Sequence, residues 1–291
     1  IFVAQKKDGK WDIVDGVQRI STLLQLVGEL PDHDPLVLEA TKYLPSLEGM
    51  TWETMPADAK RLLKRARIGV NIILTENSIE SQYELFQRLN TGGVSLESQE
   101  IRNCLIIMLN ENYYNKINEL KNYENFKKCL TITEDKYKVE YHMELIVRYL
   151  VAKRNKVKYE DYNVSSEKLA DFLDHEIYLL ISDSNFNIDE EIELFKKTFD
   201  LLAEKMGADT FKKYNLSKHC FEGAFSNASY EAILVGVAEN LENLREKDIR
   251  KIIEKMYSEE KFLKFSARGI KAIGRFQGLN EFSREYFANA D

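Results

Sequence analysis

The chemistry suggested by this sequence starts at residues 11–23, WDIVDGVQRISTL, where an alternating, strand-like pattern changes into a helical one. The first N–H groups of a helix have no partner inside the helix, so a corner containing Gly16 can admit an anion close to the backbone. Arg19 can donate two hydrogen bonds to phosphate oxygens, and Gln18 can orient water. Asp15 would repel a phosphate unless Mg²⁺ lies between them or the carboxylate orients water or an arginine. The corner therefore favours a nucleotide with a metal ion, and a simple turn in which Asp15 caps the helix is the alternative.

A second polar cluster lies in residues 85–103, LFQRLNTGGVSLESQEIRN. Two helical patterns meet here at Gly92 and Gly93, which permit a tight reversal of the chain and would bring the polar ends of both helices together. An ion pair between Arg88 and Glu100 is the structural alternative for those two residues. The polar side chains around the reversal are those of Arg88, Asn90, Thr91, Glu100, Arg102 and Asn103.

Together the two stretches resemble the N-terminal domain of GmrSD-type restriction enzymes. That family has a DGQQR box followed by a helical signature, F-x-R-[IL]-N-x-x-G-x-x-L-x-x-x-E-I-R-N. Val17 stands where the box has its first glutamine. Residues 142–154 and 281–290 also resemble the family's helical half, so the resemblance spans nearly the whole chain. The matching residues are Asp15, Gly16, Gln18 and Arg19 in the box, and Phe86, Arg88, Leu89, Asn90, Gly93, Leu96, Glu100, Ile101, Arg102 and Asn103 in the signature.

The resemblance implies a ParB/sulfiredoxin-like fold, in which the equivalent box binds the phosphates of a nucleoside triphosphate. It further implies an NTPase that uses Mg²⁺ in a restriction-like bacterial defence system acting on foreign or modified DNA. The catalytic candidates are Asp15, Gln18 and Arg19, and alignment with ParB-like proteins adds Glu84 to Asp15 as a candidate metal ligand. The nucleotide-binding candidates are Gly16, Arg19, Ser21, Thr22, Arg88, Asn90, Thr91, Gly92, Gly93, Glu100, Arg102 and Asn103.

Val17 leaves a second interpretation open, in which the chain is a catalytically idle module that keeps the fold and binds DNA or a partner protein. Nuclease activity in this chain is not expected, because an HNH-type centre needs two histidines and an asparagine around a metal. His33, His142, His175 and His219 do not have that spacing. We therefore expect DNA cleavage to depend on a separate nuclease subunit or domain.

The positions of the prolines and the strand patterns predict which strands and helices hold the corner. All four prolines lie at or before residue 56, which leaves the rest of the chain able to form helices. Strands are predicted at 1–3 and 11–14, joined as a hairpin through an Asp-Gly turn, and at 68–74 as a buried strand. A helix is predicted to start near Ser95.

The predicted fold class is α+β, with a small ParB/sulfiredoxin-like mixed α/β lobe at residues 1–110 followed by a larger all-helical lobe at 111–291. The helical lobe is expected because amphipathic stretches dominate the sequence from about residue 111 onward. The chain begins inside a strand pattern and without methionine, so we expect the true N-terminus to be missing. The resemblance implies a further strand segment before Ile1.

Charge restricts how the protein could contact DNA. With 48 acidic and 41 basic residues, the net charge of −7 should repel a phosphate backbone, so contact must come from a local basic patch. One candidate patch is a basic stripe on one face of an amphipathic helix predicted over 259–275. A second basic cluster occupies residues 60–67. The stripe consists of Lys261, Lys264, Arg268, Lys271 and Arg275.

Cysteine usage and hydropathy predict the compartment. The three cysteines lie far apart without CxxC spacing, which is typical of reduced thiols rather than of disulfides or a structural zinc site. No apolar run reaches the roughly 20 residues that a membrane-spanning helix needs. We therefore expect a cytoplasmic protein that does not contact membranes.

Overall fold

The computed structural model describes residues 1–5, 9–73, 97–164 and 167–290. The chain divides into two compact units, Ile1–Ser95 and Leu96–Asp291, here named unit 1 and unit 2. Unit 1 contains a three-stranded sheet and helices, and unit 2 consists mainly of helices. The predicted α+β class is therefore confirmed.

The sheet of unit 1 has the strand order β2-β1-β3. β1 (Phe2–Gln5) pairs antiparallel with β2 (Trp11–Asp15), which confirms the predicted hairpin. β1 also pairs in parallel with β3 (Asn71–Ile73). The amino group of Ile1 donates to the carbonyl of Gly69 at 2.9 Å, which continues this parallel pairing at its start. The hairpin holds β2 beside β1 and so fixes the strand end from which the corner emerges.

The prediction that the strand over residues 68–74 is buried is wrong. β3 covers Asn71–Ile73 in the described residues, and Ile68 and Ile72 are 47% and 44% exposed. The physical reason is the place of β3 at the edge of the sheet, where in the described part of unit 1 it pairs with β1 alone. Alternating apolar residues therefore line an edge instead of a core.

Two helices of unit 1 follow from local signals. α1 (Val17–Val27) starts directly after the corner and ends at Gly28, whose φ of 78° lets its N–H return to carbonyls of the last turn. α2 (Ala57–Arg65) begins after Pro56, as expected for a residue with no N–H to donate. The buried apolar side chains of unit 1 include those of Val3, Leu26 and Met55.

Unit 2 confirms the larger helical lobe and adds a short hairpin, β4 (Lys213–Asn215) with β5 (Cys220–Glu222), that the sequence analysis did not predict. Short 3-10 turns cover Pro45–Leu47 in unit 1 and Tyr159–Asp161 and Gly207–Asp209 in unit 2. The helices of unit 2 are α3 (Ser98–Leu109), α4 (Glu111–Leu120), α5 (Glu124–Cys129), α6 (Glu134–Lys138), α7 (Tyr141–Arg154), α8 (Leu169–Ser182), α9 (Ile188–Lys205), α10 (Asn227–Glu239), α11 (Leu241–Leu244), α12 (Ile249–Met256), α13 (Glu260–Ser266) and α14 (Ala272–Ala288).

The core of unit 2 is centred on α7 and α10, in which most side chains are buried. Aromatic rings fill the space around them: Phe126 lies edge-on to Phe195 and Phe199, with ring centroids 5.2 and 4.9 Å away. Such edge-to-face pairs stabilise a core beyond the area that they bury. The structure thus gives unit 2 an independent hydrophobic core.

A close contact between α10 and α14 in this core depends on Gly236 of α10. Its N–H donates to the Ser283 hydroxyl of α14 at 2.9 Å. A Cβ atom at position 236 would lie 2.2 Å from the Ser283 carbonyl oxygen and 2.7 Å from a ring carbon of Phe287. Because backbone blocks that position, only glycine fits between the two helices.

Replacing Gly236 by alanine should lower the free energy of unfolding by about 1–3 kcal/mol, since the methyl group must push α10 and α14 apart. Gly274→Ala on α14 is the matched control: no atom lies within 4 Å of its added Cβ. That change should raise the free energy of unfolding by up to about 1 kcal/mol, because alanine favours helix. Urea unfolding followed by circular dichroism measures both, and equal stability of the two variants would contradict this packing.

Candidate functional site

The strand-to-helix corner exists as predicted. β2 ends at Asp15, Gly16 follows with φ 102°, and α1 begins at Val17. A Cβ at position 16 would lie 2.4 Å from the side chain of Ile1. Glycine is therefore required at position 16 for two reasons: the backbone is left-handed there, and the side chain of Ile1 approaches too closely for a Cβ atom.

The residue at the start of α1 cannot cap the helix with a side chain. Gly16 is the N-cap of α1 and has no side chain, so the N-cap residue supplies no acceptor to the first N–H groups of the helix. α1 runs for 11 residues, long enough to present a partial positive charge at its start. An anion can interact favourably at such a terminus.

The side chains after the glycine lie on the surface. Gln18 and Arg19 are exposed. An Nη2 atom of Arg19 lies 3.3 Å from the position that a Cβ of Gly16 would take, so the guanidinium folds back beside the glycine. The corner thus combines helix N–H groups, a guanidinium and a side-chain amide within the first turn of one helix.

Ser21 and Thr22 use their hydroxyl protons inside α1. Ser21 donates to the carbonyl of Val17 at 2.7 Å, and Thr22 donates to the carbonyl of Gln18 at the same distance. In this arrangement each hydroxyl has only acceptor capacity left. Their predicted contacts with a nucleotide stay predictions.

The polar cluster around the double glycine is predicted to complete the nucleotide site from the other side. Glu84, Arg88, Asn90, Thr91, Gly92 and Gly93 lie outside the described residues. Their assignments as metal ligand and nucleotide contacts stay predictions.

Glu100 and Asn103 lie in α3 of unit 2 and make local contacts. The helix starts at Ser98, three residues later than expected, with Glu97 as N-cap. The Glu100 carboxylate accepts from the N–H of Glu97 at 2.8 Å and completes a capping box. The Asn103 side chain accepts from Gln99 at 2.7 Å.

Arg102, the third residue of this group, is fully buried in unit 2. Its Nε donates to Asp174 of α8 at 2.6 Å, Nη2 donates to the carbonyl of Ala170 at 3.2 Å, and Nη1 donates to Gln99. The guanidinium therefore ties α3 to α8. A contact between Arg102 and a nucleotide stays a prediction.

Arg102 is one end of a larger feature, a buried ion-pair chain that crosses unit 2. Arg148 of α7 contacts Glu144 at 2.6 Å and Glu231 of α10 at 2.7 Å. Glu144 lies 3.9 Å from Arg102, and Glu231 accepts two hydrogen bonds from Arg275 of α14 at 2.8 and 3.0 Å. The chain consists of Asp174, Arg102, Glu144, Arg148, Glu231 and Arg275.

The ion-pair chain balances three cations with three carboxylates. Burial lowers the pKa of Arg148, but Glu144 and Glu231 outweigh that effect and hold the pKa above its ordinary value. Sequence reasoning missed this feature, although one signal was present. Glu144 and Arg148 are four residues apart in the otherwise apolar run MELIVRYLV, where charged side chains require buried partners.

The predicted basic stripe does not lie on one helix. α13 ends at Ser266 and α14 begins at Ala272, because Gly269 turns the chain with φ 95°. The prediction of a continuous helix over 259–275 is therefore wrong. Two of the five cations are paired, Lys261 with Glu285 at 2.5 Å and Arg275 with Glu231. Lys264, Arg268 and Lys271 are exposed, and a role in DNA binding for the five residues stays a prediction.

The second basic cluster forms the surface of α2, which has no buried residue. The ammonium groups of Lys60 and Lys64 lie 5.7 and 5.8 Å from the centre of a Trp52 ring. This arrangement holds two of the cations by cation–π attraction and leaves the helix solvated.

The possible metal ligands in the described residues, histidines included, form no metal site. His142 is buried, and its Nδ1 has no hydrogen-bond partner. Burial lowers the pKa of this imidazole, so it favours the neutral form. In the ranges that the structure describes, no three His, Cys, Asp or Glu side chains are grouped to hold a metal ion.

None of the described helices combines the length and apolar composition required to span a bilayer.

Comparison with known proteins gives one finding. No curated protein and no solved structure matches the chain significantly. A family model described as GmrSD restriction endonuclease, N-terminal domain, matches residues 1–107, which include the corner and most of α3. The match confirms the resemblance predicted from the two motifs and supports a restriction-system component that acts on DNA. Residues 1–107 of this chain are thus similar to the GmrSD restriction endonuclease N-terminal domain family, and the match covers 107 of the 291 residues.

Proposed function

We propose that this chain binds a nucleoside triphosphate with Mg²⁺ at the β2–α1 corner and hydrolyses it as part of a bacterial defence system against foreign or modified DNA. The observation that carries the proposal is the geometry of the corner. A left-handed glycine leads into an 11-residue helix, and the guanidinium of Arg19 lies beside that glycine. The family match over residues 1–107 supports the restriction context.

Each residue of the corner has a distinct part in this proposal. The N–H groups after Gly16 and the guanidinium of Arg19 hold phosphate oxygens, because both are donors at the positive end of a helix. Gln18 is exposed in the first turn of α1 and positions the attacking water. DNA cleavage then belongs to a separate nuclease subunit or domain.

In this proposal Asp15, the last residue of β2, would hold the Mg²⁺ ion. Protein sites for Mg²⁺ commonly use one or two carboxylates and complete the shell with water and phosphate oxygens. The described residues contain no group of three His, Cys, Asp or Glu side chains that could hold a metal ion. A Mg²⁺ ion held by one aspartate, water and phosphate oxygens does not need such a group. When bound, the ion would neutralise charge on the phosphates.

One observation favours a second function, that of a catalytically idle module that binds DNA or a partner. Val17, in place of the first glutamine of the box, is 55% exposed at the start of α1. An isopropyl group there can neither donate to a phosphate nor orient water. Binding through backbone N–H groups survives this substitution, so the two functions differ in turnover and not in nucleotide affinity.

Nucleotide-induced thermal stabilisation tests the binding step. At a nucleotide concentration of about 100 times Kd, with Mg²⁺ present, the wild type should gain about 2.7 kcal/mol of stability. Arg19→Ala should lose most of that gain, because it removes the charged donor. Arg65→Ala, which removes an exposed arginine from α2 of the same unit, should keep it. Equal stabilisation of wild type and Arg19→Ala would remove Arg19 from the site.

A further inference from the structure

An open groove lies in unit 2 between the β4–β5 hairpin and the segment that joins α13 to α14. Its volume is about 470 Å³. That volume falls in the range of about 300–1,000 Å³ typical of ligand sites. The break in the predicted basic stripe creates this groove, since Gly269 turns the chain there and Arg268 and Ile270 line it.

Every charged residue that lines the groove is basic. Lys213 comes from β4, Arg268 from the turn before α14, and Arg275 from α14 itself. Lys213 and Arg268 are exposed, and neither has a carboxylate partner within the described residues. The paired contact with Glu231 fixes the guanidinium of Arg275 in the wall. Lys213 and Arg268 thus bring positive charge from two separate segments to one concave surface, while the charge of Arg275 is balanced by Glu231.

The rest of the groove offers apolar and aromatic surface. Leu263 and Ile270 line it and are 52% and 40% exposed. The rings of Tyr214 and Tyr257 also line it, with centroids 6.2 Å apart. Exposed apolar surface of this kind on a soluble unit is a feature of binding sites.

Cations beside aromatic and apolar walls suit one class of ligand, a nucleic acid strand with unpaired bases. Phosphates of such a strand follow basic side chains, while the bases stack on aromatic rings. A duplex keeps its bases stacked inside and could offer only phosphates to these walls. The mixture of surfaces therefore favours an unpaired strand.

We propose that this groove binds an unpaired segment of DNA, with Lys213 and Arg268 on phosphates and Tyr214, Leu263 and Ile270 against the bases. The inference rests on the DNA-directed part of the proposed function and is independent of the nucleotide corner. It replaces the five-residue helical stripe by a site to which Arg268 and Arg275 of that stripe still contribute.

The test is fluorescence anisotropy of a labelled single-stranded oligonucleotide with the whole chain, at salt concentrations from low to physiological. The double variant Lys213→Glu with Arg268→Glu should bind roughly 10–100-fold more weakly at low salt. The slope of log affinity against log salt should also fall by about 1.4, as expected for two lost contacts to a single strand. A duplex of the same sequence should bind more weakly than the single strand.

The double variant Lys197→Glu with Lys205→Glu is the matched control, because it reverses two exposed lysines on α9, away from the groove lining. It should bind the single strand with the affinity of the wild type. If both double variants lose the same affinity for the single strand, the loss comes from the change in net charge and the proposal is overturned. Unchanged binding by the groove variant would also overturn it. Nucleotide-induced thermal stabilisation of the groove variant should match the wild type, so failure here is distinguishable from failure of the corner.

Discussion

Replacing Arg148 by alanine is expected to lower the free energy of unfolding by about 3–5 kcal/mol. The Arg148 side chain is buried between Glu144 and Glu231, at 2.6 and 2.7 Å. Glu231 is almost fully buried, with 1% of its side chain exposed. Removal of the guanidinium leaves the ion-pair chain with one uncompensated negative charge beside the buried Glu231. Urea unfolding at neutral pH measures the loss.

Arg245→Ala is the control for this change. Arg245 is an exposed arginine 3.9 Å from Glu242, and its loss should cost less than about 1 kcal/mol. Replacing Arg148 and Glu144 together by apolar residues should recover part of the stability lost in Arg148→Ala, because Arg102 then keeps Asp174 and Glu231 keeps Arg275. A loss below about 1 kcal/mol for Arg148→Ala would show that water reaches the ion-pair chain.

Gln18→Ala is expected to lower the rate of phosphate release roughly 10²–10³-fold while nucleotide binding is kept. A side-chain amide that acts on the transition state typically contributes a factor of this size. Gln18 lies in the first turn of α1, where its amide can orient water against a bound phosphate without holding the nucleotide itself. Steady-state phosphate release with each of the four nucleoside triphosphates and Mg²⁺ measures the change.

Gln25→Ala is the matched control, since Gln25 lies on the same helix and its amide donates to the carbonyl of Asp34 at 3.0 Å. It should release phosphate at the wild-type rate. If the wild type itself releases no phosphate from any of the four nucleotides, hydrolysis is excluded and the idle binding module becomes the function. If Gln18→Ala turns over normally, the water must be oriented by another group.

The sequence predicted the corner well because its determinants are local. Strand alternation, a glycine and a helical period are all contained in residues 11–23, and Gly16 has the left-handed φ that only glycine adopts at little cost. The family resemblance was likewise carried by contiguous motifs.

Predictions failed where the outcome depended on distant partners. Apolar residues alone do not identify the buried face of α3, because Arg102 and Gln99 are buried while Ile101 is only half-buried. The face is set by Asp174, 72 residues away in sequence, which binds Arg102 from another helix. A hydrophobic pattern contains no information about such a partner.

The basic stripe failed for a local reason that was given too little weight. Spacings of three and four predicted one helix, but Arg268-Gly269 lies in the middle of that pattern. A glycine inside a helix costs roughly 1 kcal/mol relative to alanine, and here Gly269 takes φ 95° in the segment between the end of α13 and the start of α14. The same turn opened the groove between α14 and the β4–β5 hairpin.

The most direct test of the central claim is a crystal structure of the chain grown with Mg²⁺ and a non-hydrolysable nucleoside triphosphate. We predict phosphate density against the N–H groups of residues 16–18, with the guanidinium of Arg19 in contact with a phosphate oxygen. A nucleotide bound elsewhere in the molecule, while the β2–α1 corner holds none, would contradict the claim.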